Sequence, residues 1–399
     1  MKVLIVHNNY GKYSGEEAVV DKMAAMLTGL GHTVVQYRVN TAKENLAGKV
    51  KGFISGFYNP KGVQRMREII RKEKPDIINI HNLYPFITPA SLRECKIAGV
   101  PVIMTVHNFR LLCPTGLFMR KGKPCESCLN KGNEWGCVIH NCEQSIPKSI
   151  GYALRNAVAR IGHYYKDNVD YLACITNFQR EKLIEGGFDK ERIIVIPNAV
   201  EATEESEPSM GDYVAYCGRL SREKGIDLII DVAKKHPEIS FKLAGECREK
   251  ELVADIPSNV ELLGYISGNK LNEFYRNARF LVMASRCYEG FPMSILEGAR
   301  YYKPTIGPDH GGFSEIIGKG DSAIGKVFSP GDADALEAAI VSLWNNTMEC
   351  RRLGTFAQGK LFSKYSTSVI SKKWDTLLNS IVQRSSIKRQ SVKQTPKVI

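Results

Sequence analysis

Two glutamates eight positions apart, Glu289 and Glu297, constrain this chain more than any other feature of its sequence. A Gly-Phe-Pro-Met segment lies between them. Proline suits the first position of a helix, because its φ is already helical and its missing amide hydrogen would find no partner there. We therefore expect a helix from Met293 to Tyr302, started by Pro292. Glu289 would lie in the preceding loop and Glu297 in the second helical turn.

The start of such a helix attracts an anion. Its first amides have no partner within the helix, and the positive end of the helix dipole lies there. Carboxylates on either side accept hydrogen bonds from the hydroxyl groups of a ribose or a sugar. The sequence therefore predicts a donor-binding segment formed by Gly290, Phe291, Pro292, Met293 and Ser294.

Two cations lie about seventy residues upstream. Arg219 and Lys224 follow a strand-like run, Tyr213 to Cys217, in a segment that begins at Gly218. Arginine offers a forked cation and lysine a point charge, and both neutralise phosphate. Any one of these side chains would ordinarily be a solvated surface group. Two carboxylates, two cations and a helix start in one region together indicate a nucleotide-sugar site.

This combination resembles the retaining GT-B glycosyltransferases of family four, which use nucleotide-diphosphate sugars and carry an E-x7-E signature. The resemblance covers almost the whole chain. It implies that Glu289 faces the donor sugar and that Glu297 binds the ribose. It also implies that Arg219 and Lys224 hold the diphosphate, with Gly218 in the same donor loop.

The amino-terminal half contributes further candidates. The Ser-Gly-Glu-Glu segment that contains Gly15 and Glu16 corresponds to the family's glycine-rich loop, and this adds both residues to the donor site. His81 and His107 follow strand-like runs, and ligands of doubly wound sheets bind at the carboxyl ends of strands. The resemblance gives His107 a contact with the donor sugar. We expect His81 and Asn82 on the acceptor side. For His81 and for His107 the alternative is a structural histidine that is hydrogen-bonded in a loop.

Strand-like apolar runs alternate with helical patterns along the whole chain, as in parallel sheets covered by helices on both faces. The runs are residues 3–7, 33–39, 76–81, 101–106 and 171–176 in the first half, and 213–217, 240–244, 260–263, 280–284 and 304–307 in the second. Together with the length of 399 residues, they predict an α/β protein with two Rossmann-like domains. The resemblance makes this a GT-B fold whose two sheets face a central cleft.

The domain boundaries follow from composition. The first domain should span residues 1–200, with a cysteine-rich insertion at 109–147, and the second should span 201–365 after a polar, acidic stretch. The resemblance implies that a helix over 366–383 crosses back to the first domain. We expect the basic tail, 384–399, to be disordered.

Five of the eleven cysteines lie between residues 113 and 142, where an even distribution would place about one. The Cys-x-x-Cys spacing at 125 and 128 lets two thiolates converge on one tetrahedral metal. No apolar signal stretch precedes the first strand, and a reducing cytosol favours zinc or free thiols over disulfides. We predict a structural zinc, with free thiols as the alternative and no catalytic metal. The expected ligands are Cys113, Cys125, Cys128 and Cys142, with Cys137 and His140 in reserve.

A net charge of +13 and a pI of about 9.1 indicate an anionic partner. Neither a helix-turn-helix nor an aromatic basic sheet is recognisable, so we expect no nucleic-acid binding. Residues 148–166 are basic and carry apolar side chains at helical spacing, and residues 49–61 combine lysines with aromatic side chains. Neither is long or apolar enough to span a bilayer, and both are typical of helices on an anionic membrane surface. A core-facing helix with a solvated face is the alternative.

These features predict a cytoplasmic enzyme that is peripheral at the inner face of the cytoplasmic membrane. We expect it to transfer a sugar from a nucleotide-diphosphate sugar to a lipid-linked or saccharide acceptor, with retention of configuration, in surface polysaccharide synthesis such as that of O-antigen or capsule. A sugar-nucleotide epimerase on the same fold is the alternative, and a non-catalytic nucleic-acid or polysaccharide binding protein is less favoured. Free sugar-nucleotide isomers formed without acceptor would indicate the epimerase. Salt-sensitive nucleic-acid binding without turnover would indicate the binding protein.

Overall fold

Two parallel sheets organise the part of the chain that the computed structural model describes, which is residues 1–10, 14–40, 53, 55–201 and 209–394. Side chains are described to residue 385 and at 387. The strands of the first half are β1 (Lys2–Asn9), β2 (Thr33–Asn40), β3 (Ile77–Asn82), β4 (Val102–Val106), β5 (Met119–Arg120), β6 (Lys123–Pro124), β7 (Tyr171–Cys174) and β8 (Ile193–Val195). The first sheet has the order β2-β1-β3-β4-β7-β8, and β5 and β6 form a separate antiparallel hairpin.

The second half repeats this architecture. Its strands are β9 (Tyr213–Cys217), β10 (Phe241–Ala244), β11 (Val260–Gly264), β12 (Ala278–Val282), β13 (Thr305–Pro308) and β14 (Gly325–Phe328). They pair in parallel in the order β11-β10-β9-β12-β13-β14. This order reverses direction between β9 and β12, and the crevice at such a reversal is where open α/β sheets bind ligands.

Helices cover both faces of the sheets, as the apolar strands require. Those of the first half are α1 (Gly15–Gly29), α2 (Pro60–Glu73), α3 (Leu92–Ile97), α4 (Ser127–Lys131), α5 (Trp135–Ile139), α6 (Ile146–Ile161), α7 (Tyr164–Asn168) and α8 (Asn177–Glu185). Those of the second half are α9 (Ile226–Lys235), α10 (Asn269–Arg276), α11 (Met293–Ala299), α12 (Gly311–Ile317), α13 (Ala333–Asn345), α14 (Thr347–Lys360) and α15 (Thr367–Gln394). Short 3-10 turns lie at Pro89–Ser91, Lys190–Arg192, Arg222–Lys224, Lys250–Val253 and Gly320–Ser322, and a π-helical turn lies at Leu361–Tyr365.

The predicted fold class is confirmed. All ten predicted strand runs form strands whose ends lie within two residues of the expected positions. The crossing helix is also present, because Ile370, Trp374 and Leu378 of α15 are buried in the same core as Val3 and Ile5 of β1. The predicted acidic linker falls largely on residues 202–208, which lie outside the described residues, as do residues 49–52 and 54 of the second basic segment.

The prediction for the tail was wrong over part of its length. Residues 384–394 continue helix α15 to Gln394, and residues 395–399 lie outside the described part. Apolar residues of α15 as far as Ile381 pack against the first domain and stabilise the helix. The polar residues 384–394 continue this stabilised helix. Extending an existing helix avoids the cost of nucleation, which composition alone does not reveal.

Candidate active site

The helix that follows the Gly-Phe-Pro turn is shorter than predicted. It runs from Met293 to Ala299, and Pro292 is the residue before its first turn, with φ −72° and ψ 97°, rather than its first helical residue. The helix does not extend to Tyr302, which has a left-handed φ of 59°, and Lys303 precedes Pro304, a position that disfavours helix. Glu297 nevertheless lies in the second turn, as expected.

The loops after β9 and β12, the strands on either side of the order reversal, bring Lys224 and Glu289 together. The ammonium Nζ of Lys224 forms an ion pair with Oε1 of Glu289, and Ser285 donates a hydrogen bond of 3.1 Å to the same oxygen. Burial opposes ionisation of Glu289, but Lys224 and Ser285 outweigh it and hold its pKa below the ordinary value. Burial likewise opposes the charge of Lys224, while Glu289 raises its pKa. Both groups are therefore charged at neutral pH.

Arg219 lies beside this pair with its guanidinium more open to solvent. Its side chain is 41% exposed and lies 3.5 Å from a carboxylate oxygen of Glu223. The positive charge of Arg219 also acts on the pKa values of both Lys224 and Glu289, so the three side chains share one electrostatic environment. A loosely held arginine and a tightly paired lysine are thus present where the sequence predicts a diphosphate.

Close backbone approach explains the glycine that follows Lys224. Gly225 has a left-handed φ of 69°, and a Cβ atom there would lie 2.0 Å from the carbonyl oxygen of Ala284. Any side chain would therefore separate the loop after β9 from the loop after β12. Gly312 also allows a close backbone approach. Its amide donates a hydrogen bond of 2.8 Å to the carbonyl oxygen of Glu289, and a Cβ atom there would lie 2.4 Å from the carbonyl oxygen of Gly290.

Glu297 is held by a buried tyrosine. The hydroxyl of Tyr275 donates a hydrogen bond of 2.8 Å to Oε2 of Glu297, and burial together with this carboxylate raises the pKa of Tyr275 well above its ordinary value. The tyrosine therefore remains a hydrogen-bond donor at every physiological pH. One carboxylate oxygen is positioned by the protein, and the other has no hydrogen bond of its own among the described side chains.

Three histidines cluster at the carboxyl ends of β1, β3 and β4 in the first sheet. Nδ1 of His81 and Nε2 of His107 lie 2.7 Å apart, so one nitrogen donates a hydrogen bond to the other. His7 lies edge-on to His81 and 3.8 Å from Glu16. Burial lowers the pKa of all three histidines, to about 4 for His7, and keeps the rings neutral.

The glycine-rich loop with Gly15 and Glu16 lies at the start of helix α1. Ser14 caps helix α1 in a capping box with Glu17, and a Cβ at Gly15 would meet no atom within 4 Å, so no close approach requires this glycine. Glu16 accepts hydrogen bonds from Tyr10 at 2.9 Å and Asn108 at 3.5 Å, on the first-domain side. Residues 11–13 of the loop lie outside the described residues.

Asn82 has a structural position. Its amide donates to the carbonyl oxygens of Asn8 and Tyr84, and its own oxygen accepts from the amide of Tyr84. All three bonds are buried: the bond to Asn8 ties the ends of β1 and β3 together, and the two with Tyr84 fix the turn after β3. The side chain of Asn82 thus has hydrogen-bond partners within the protein. Its acceptor-side role stays a prediction.

The two domains meet directly at the predicted site. A Cβ added at Gly290 would lie 3.2 Å from the carbonyl oxygen of His107, so the donor loop and the end of β4 are in contact. Glu315 of α12 accepts hydrogen bonds from the amides of Asn177 and Phe178, each at 3.0 Å, at the start of α8 in the first domain. The structure thus brings His107 next to the segment that contains Glu289.

An aromatic cluster, which sequence reasoning did not identify, joins the cysteine-rich insertion to the second domain. Tyr288 packs against Phe178 with ring centroids 4.9 Å apart, and against Phe109 and Phe118 at 6.3 and 6.0 Å. Tyr288 is the immediate neighbour of Glu289 in the chain. Glu315 ends the segment Gly311-Gly312-Phe-Ser-Glu315, and the aromatic cluster has no comparable local pattern. Both contacts depend on the docking of two distant segments.

The predicted metal ligands Cys113, Cys125, Cys128 and Cys142 are free thiols. Burial and the neighbouring sulfurs of Cys113, Cys142 and Cys125 raise the pKa of Cys128 to about 12. A hydrogen bond with Cys137 lowers the pKa of Cys142 to about 7. Among the described residues, no three His, Cys, Asp or Glu side chains are placed to hold a metal ion. His140 is bonded to Arg120 instead. The structural zinc remains a prediction.

Two family models together cover most of this chain. Residues 200–360 match glycosyl transferases group 1, and residues 13–204 match glycosyltransferase family 4. An uncharacterized glycosyltransferase of Methanocaldococcus jannaschii is 34% identical over 310 residues, which cover 75% of this chain and 73% of the relative. The chain therefore belongs to the glycosyltransferase family that these models describe, and it is a hexosyl-type glycosyltransferase.

More distant relatives agree with this assignment. The O-antigen biosynthesis glycosyltransferase WbnH of Escherichia coli is 25% identical over 193 residues, which cover 48% of this chain and 54% of that one. Among solved structures, Anabaena HepE in complex with UDP-glucose superimposes with a TM-score of 0.65 at 16% identity, over 95% of this chain and 100% of that one. At this identity the likeness concerns the fold, which is that of the GT-B glycosyltransferases.

Proposed function

We propose that this enzyme transfers a sugar from a nucleotide-diphosphate sugar to a lipid-linked or saccharide acceptor, with retention of anomeric configuration. The observation that carries the proposal is the buried Lys224–Glu289 pair at the reversal of strand order, in contact through Gly290 with the end of the strand before His107. A cation for phosphate and a carboxylate for sugar hydroxyls are adjacent there, as a nucleotide-sugar donor requires.

Each site residue has a role in this proposal. Arg219 and Lys224 neutralise the diphosphate as it leaves, Glu297 binds the ribose, and Glu289 with His107 orients the donor sugar. The segment from Gly290 to Ser294 lies along the donor. No enzymatic nucleophile is needed, because the acceptor oxygen attacks on the leaving-group side and the departing phosphate helps to take its proton.

The donor is proposed to be a uridine nucleotide sugar. The solved relative HepE was crystallised with UDP and with UDP-glucose, and that chain is aligned over its whole length. Thermal unfolding of the full chain against UDP, GDP, ADP and CDP tests this choice, since a ligand at about a hundred times its dissociation constant stabilises by about 2.7 kcal/mol. If only another nucleotide stabilises the protein, its base replaces uridine in the proposed donor. If none does, the proposed donor site is rejected.

Retention and the acceptor class are tested by product analysis. Incubation with UDP-sugars and saccharide or lipid-linked acceptors, followed by proton NMR of the anomeric signal, should give an axial product from an axial donor linkage. An inverted product would reject the retaining mechanism, and free sugar-nucleotide isomers without acceptor would indicate an epimerase, which the relatives do not favour. The O-antigen relative supports surface polysaccharide synthesis as the setting. Peripheral attachment at the inner face of the cytoplasmic membrane is part of the same proposal.

A further inference from the structure

Exposed apolar side chains are concentrated beside the first-domain loops. Of the fourteen large apolar side chains that are exposed in the described part of the chain, seven lie within residues 135–161. We call these seven the outer patch: Trp135, Ile139, Ile146, Ile150, Leu154, Val158 and Ile161. Ile161 is 68% exposed and Trp135 67% exposed. A monomeric soluble protein rarely displays such a concentration without an interaction partner.

The five members of the outer patch on helix α6 form one stripe. They are spaced four, four, four and three residues apart, so they share one side of the helix over about four turns. Arg160 donates two hydrogen bonds of 3.0 Å to Glu134 and thereby holds α5 against α6. Helix α5, which carries the exposed Trp135 and Ile139, therefore lies against α6, and the ring of Phe53 covers α6 at Gly151.

The opposite face of α6 is bound to the loops that follow the sheet. Asn156 donates to the carbonyl of Arg110 at 2.6 Å, and Arg155 donates to that of Pro114 at 3.2 Å. Arg155 also lies over the ring of Tyr84, 4.3 Å from its centroid. These loops follow β3 and β4, the strands that end in the histidine cluster. The outer patch is thus rigidly attached to the acceptor half of the cleft.

Charge selects the partner of this surface. Between residues 119 and 166, seven of the eight cationic side chains are exposed, whereas none of the three carboxylates is. The exposed cations are Arg120, Lys121, Lys123, Lys131, Lys148, Arg160 and Lys166. A second copy of the chain would bring these like charges together across a symmetric contact, which is unfavourable. An anionic bilayer accepts both the cations and the apolar stripe.

We propose that the outer patch is the membrane-docking surface of this enzyme, with α6 lying in the plane of an anionic bilayer. Trp135 suits the headgroup level, and the lysine stems extend past the apolar stripe to the phosphates. No helix of the described chain is long and apolar enough to cross a bilayer. This inference deepens the proposed function, because a docked α6 places the acceptor loops at the surface where a lipid-linked acceptor resides.

Sedimentation with vesicles tests the proposal without donor or acceptor. The full chain is mixed with vesicles of phosphatidylcholine, either pure or with about 30% phosphatidylglycerol. The wild type should partition at least about tenfold better onto the anionic vesicles, and added salt should reduce this preference. Ile150→Ser/Leu154→Ser should lower anionic partitioning by about tenfold or more, because two apolar contacts are lost. Ile97→Ser/Met348→Ser, at residues 78% and 83% exposed elsewhere, is the matched control and should bind like the wild type.

Circular dichroism and UDP binding establish that each variant is folded. Equal vesicle binding by the patch variant and the control would overturn the proposal. So would an absence of vesicle binding by the wild type, and concentration-dependent dimers abolished by Ile150→Ser/Leu154→Ser would then assign the patch to self-association. Failure of sugar transfer with intact vesicle binding would refute the proposed function and leave the docking surface standing.

Discussion

Removal of the Lys224 ammonium should affect both the stability of the enzyme and its donor binding, for different reasons. The side chains of Lys224 and Glu289 are only 14% and 20% exposed. Breaking a buried pair by removing one partner costs about 3 to 5 kcal/mol, and their partial exposure reduces this to about 2 kcal/mol. We therefore expect Lys224→Met to lower the free energy of unfolding without ligand by about 2 kcal/mol. Most of this loss comes from the unpaired charge of Glu289.

The double variant Lys224→Met/Glu289→Gln separates the two effects. It removes the unpaired carboxylate and should recover about half of the lost stability. UDP binding should not recover, because the contact between ammonium and phosphate, worth about 1.5 to 3 kcal/mol, is absent from both variants. That energy corresponds to a dissociation constant about ten to a hundred and fifty times higher. In the single variant, burial acts on Glu289 with less opposition, so its pKa should rise.

Urea denaturation and isothermal titration calorimetry with UDP measure these quantities. Lys234→Met is the matched control, because Lys234 forms a surface pair with Asp255, which is 91% exposed, and its loss should change neither quantity measurably. A double variant as unstable as Lys224→Met would show that Glu289 is not the source of the cost. Wild-type UDP affinity in Lys224→Met would remove Lys224 from the diphosphate site.

Three further outcomes are expected. Glu297→Ala should raise the apparent dissociation constant of the donor with little change in turnover at saturation, since ribose contacts bind ground and transition states alike, and steady-state kinetics measure this; a pure turnover defect would contradict the role. If the clustered thiols bind zinc, elemental analysis of the purified protein should find about one equivalent, and Cys125→Ser should lose it and open the loop to protease while UDP still binds; a metal-free, protease-resistant loop would leave ordinary thiols. Because burial lowers the pKa of His7 to about 4, the unfolded chain binds more protons than the folded one between about pH 4 and 6.5, so stability should fall as the pH falls through that window. From pH 7 to pH 5, His7 should lower the free energy of unfolding by about 2 kcal/mol. Urea denaturation at both pH values should therefore show a smaller decrease for His7→Gln than for the control His163→Gln. Equal decreases would refute the assignment to His7.

The strands could be predicted because they follow local rules, and the same rules place the candidate site residues at strand ends. Buried parallel strands read as apolar runs, and the residues after them fall at the cleft by topology. The two unpredicted strands of the large sheets, Ile193–Val195 and Gly325–Phe328, are three- and four-residue edge strands with mixed burial. Their identity depends on a neighbouring strand, so the local sequence is weakly informative.

The contacts between domains could not be predicted in the same way. Glu315 caps a helix 138 positions away along the chain, and the partners of Tyr288 come from three separate segments. The sequence pattern around Glu315 is also compatible with a plain turn and helix start. Only the docked arrangement distinguishes a capping carboxylate from a solvated one, because the free amides that it satisfies belong to the other domain.

The ion pair at the centre of the site has a consequence for donor binding. Lys224 and Glu289 are each buried enough that neither tolerates being left unpaired. In the proposed donor complex a diphosphate competes with Glu289 for Lys224, and the hydroxyl groups of the attached sugar supply new hydrogen bonds to the carboxylate. A nucleotide without a sugar satisfies only the first half of this exchange. In the proposed donor complex, binding of the sugar is therefore coupled to binding of its diphosphate through this one pair of side chains.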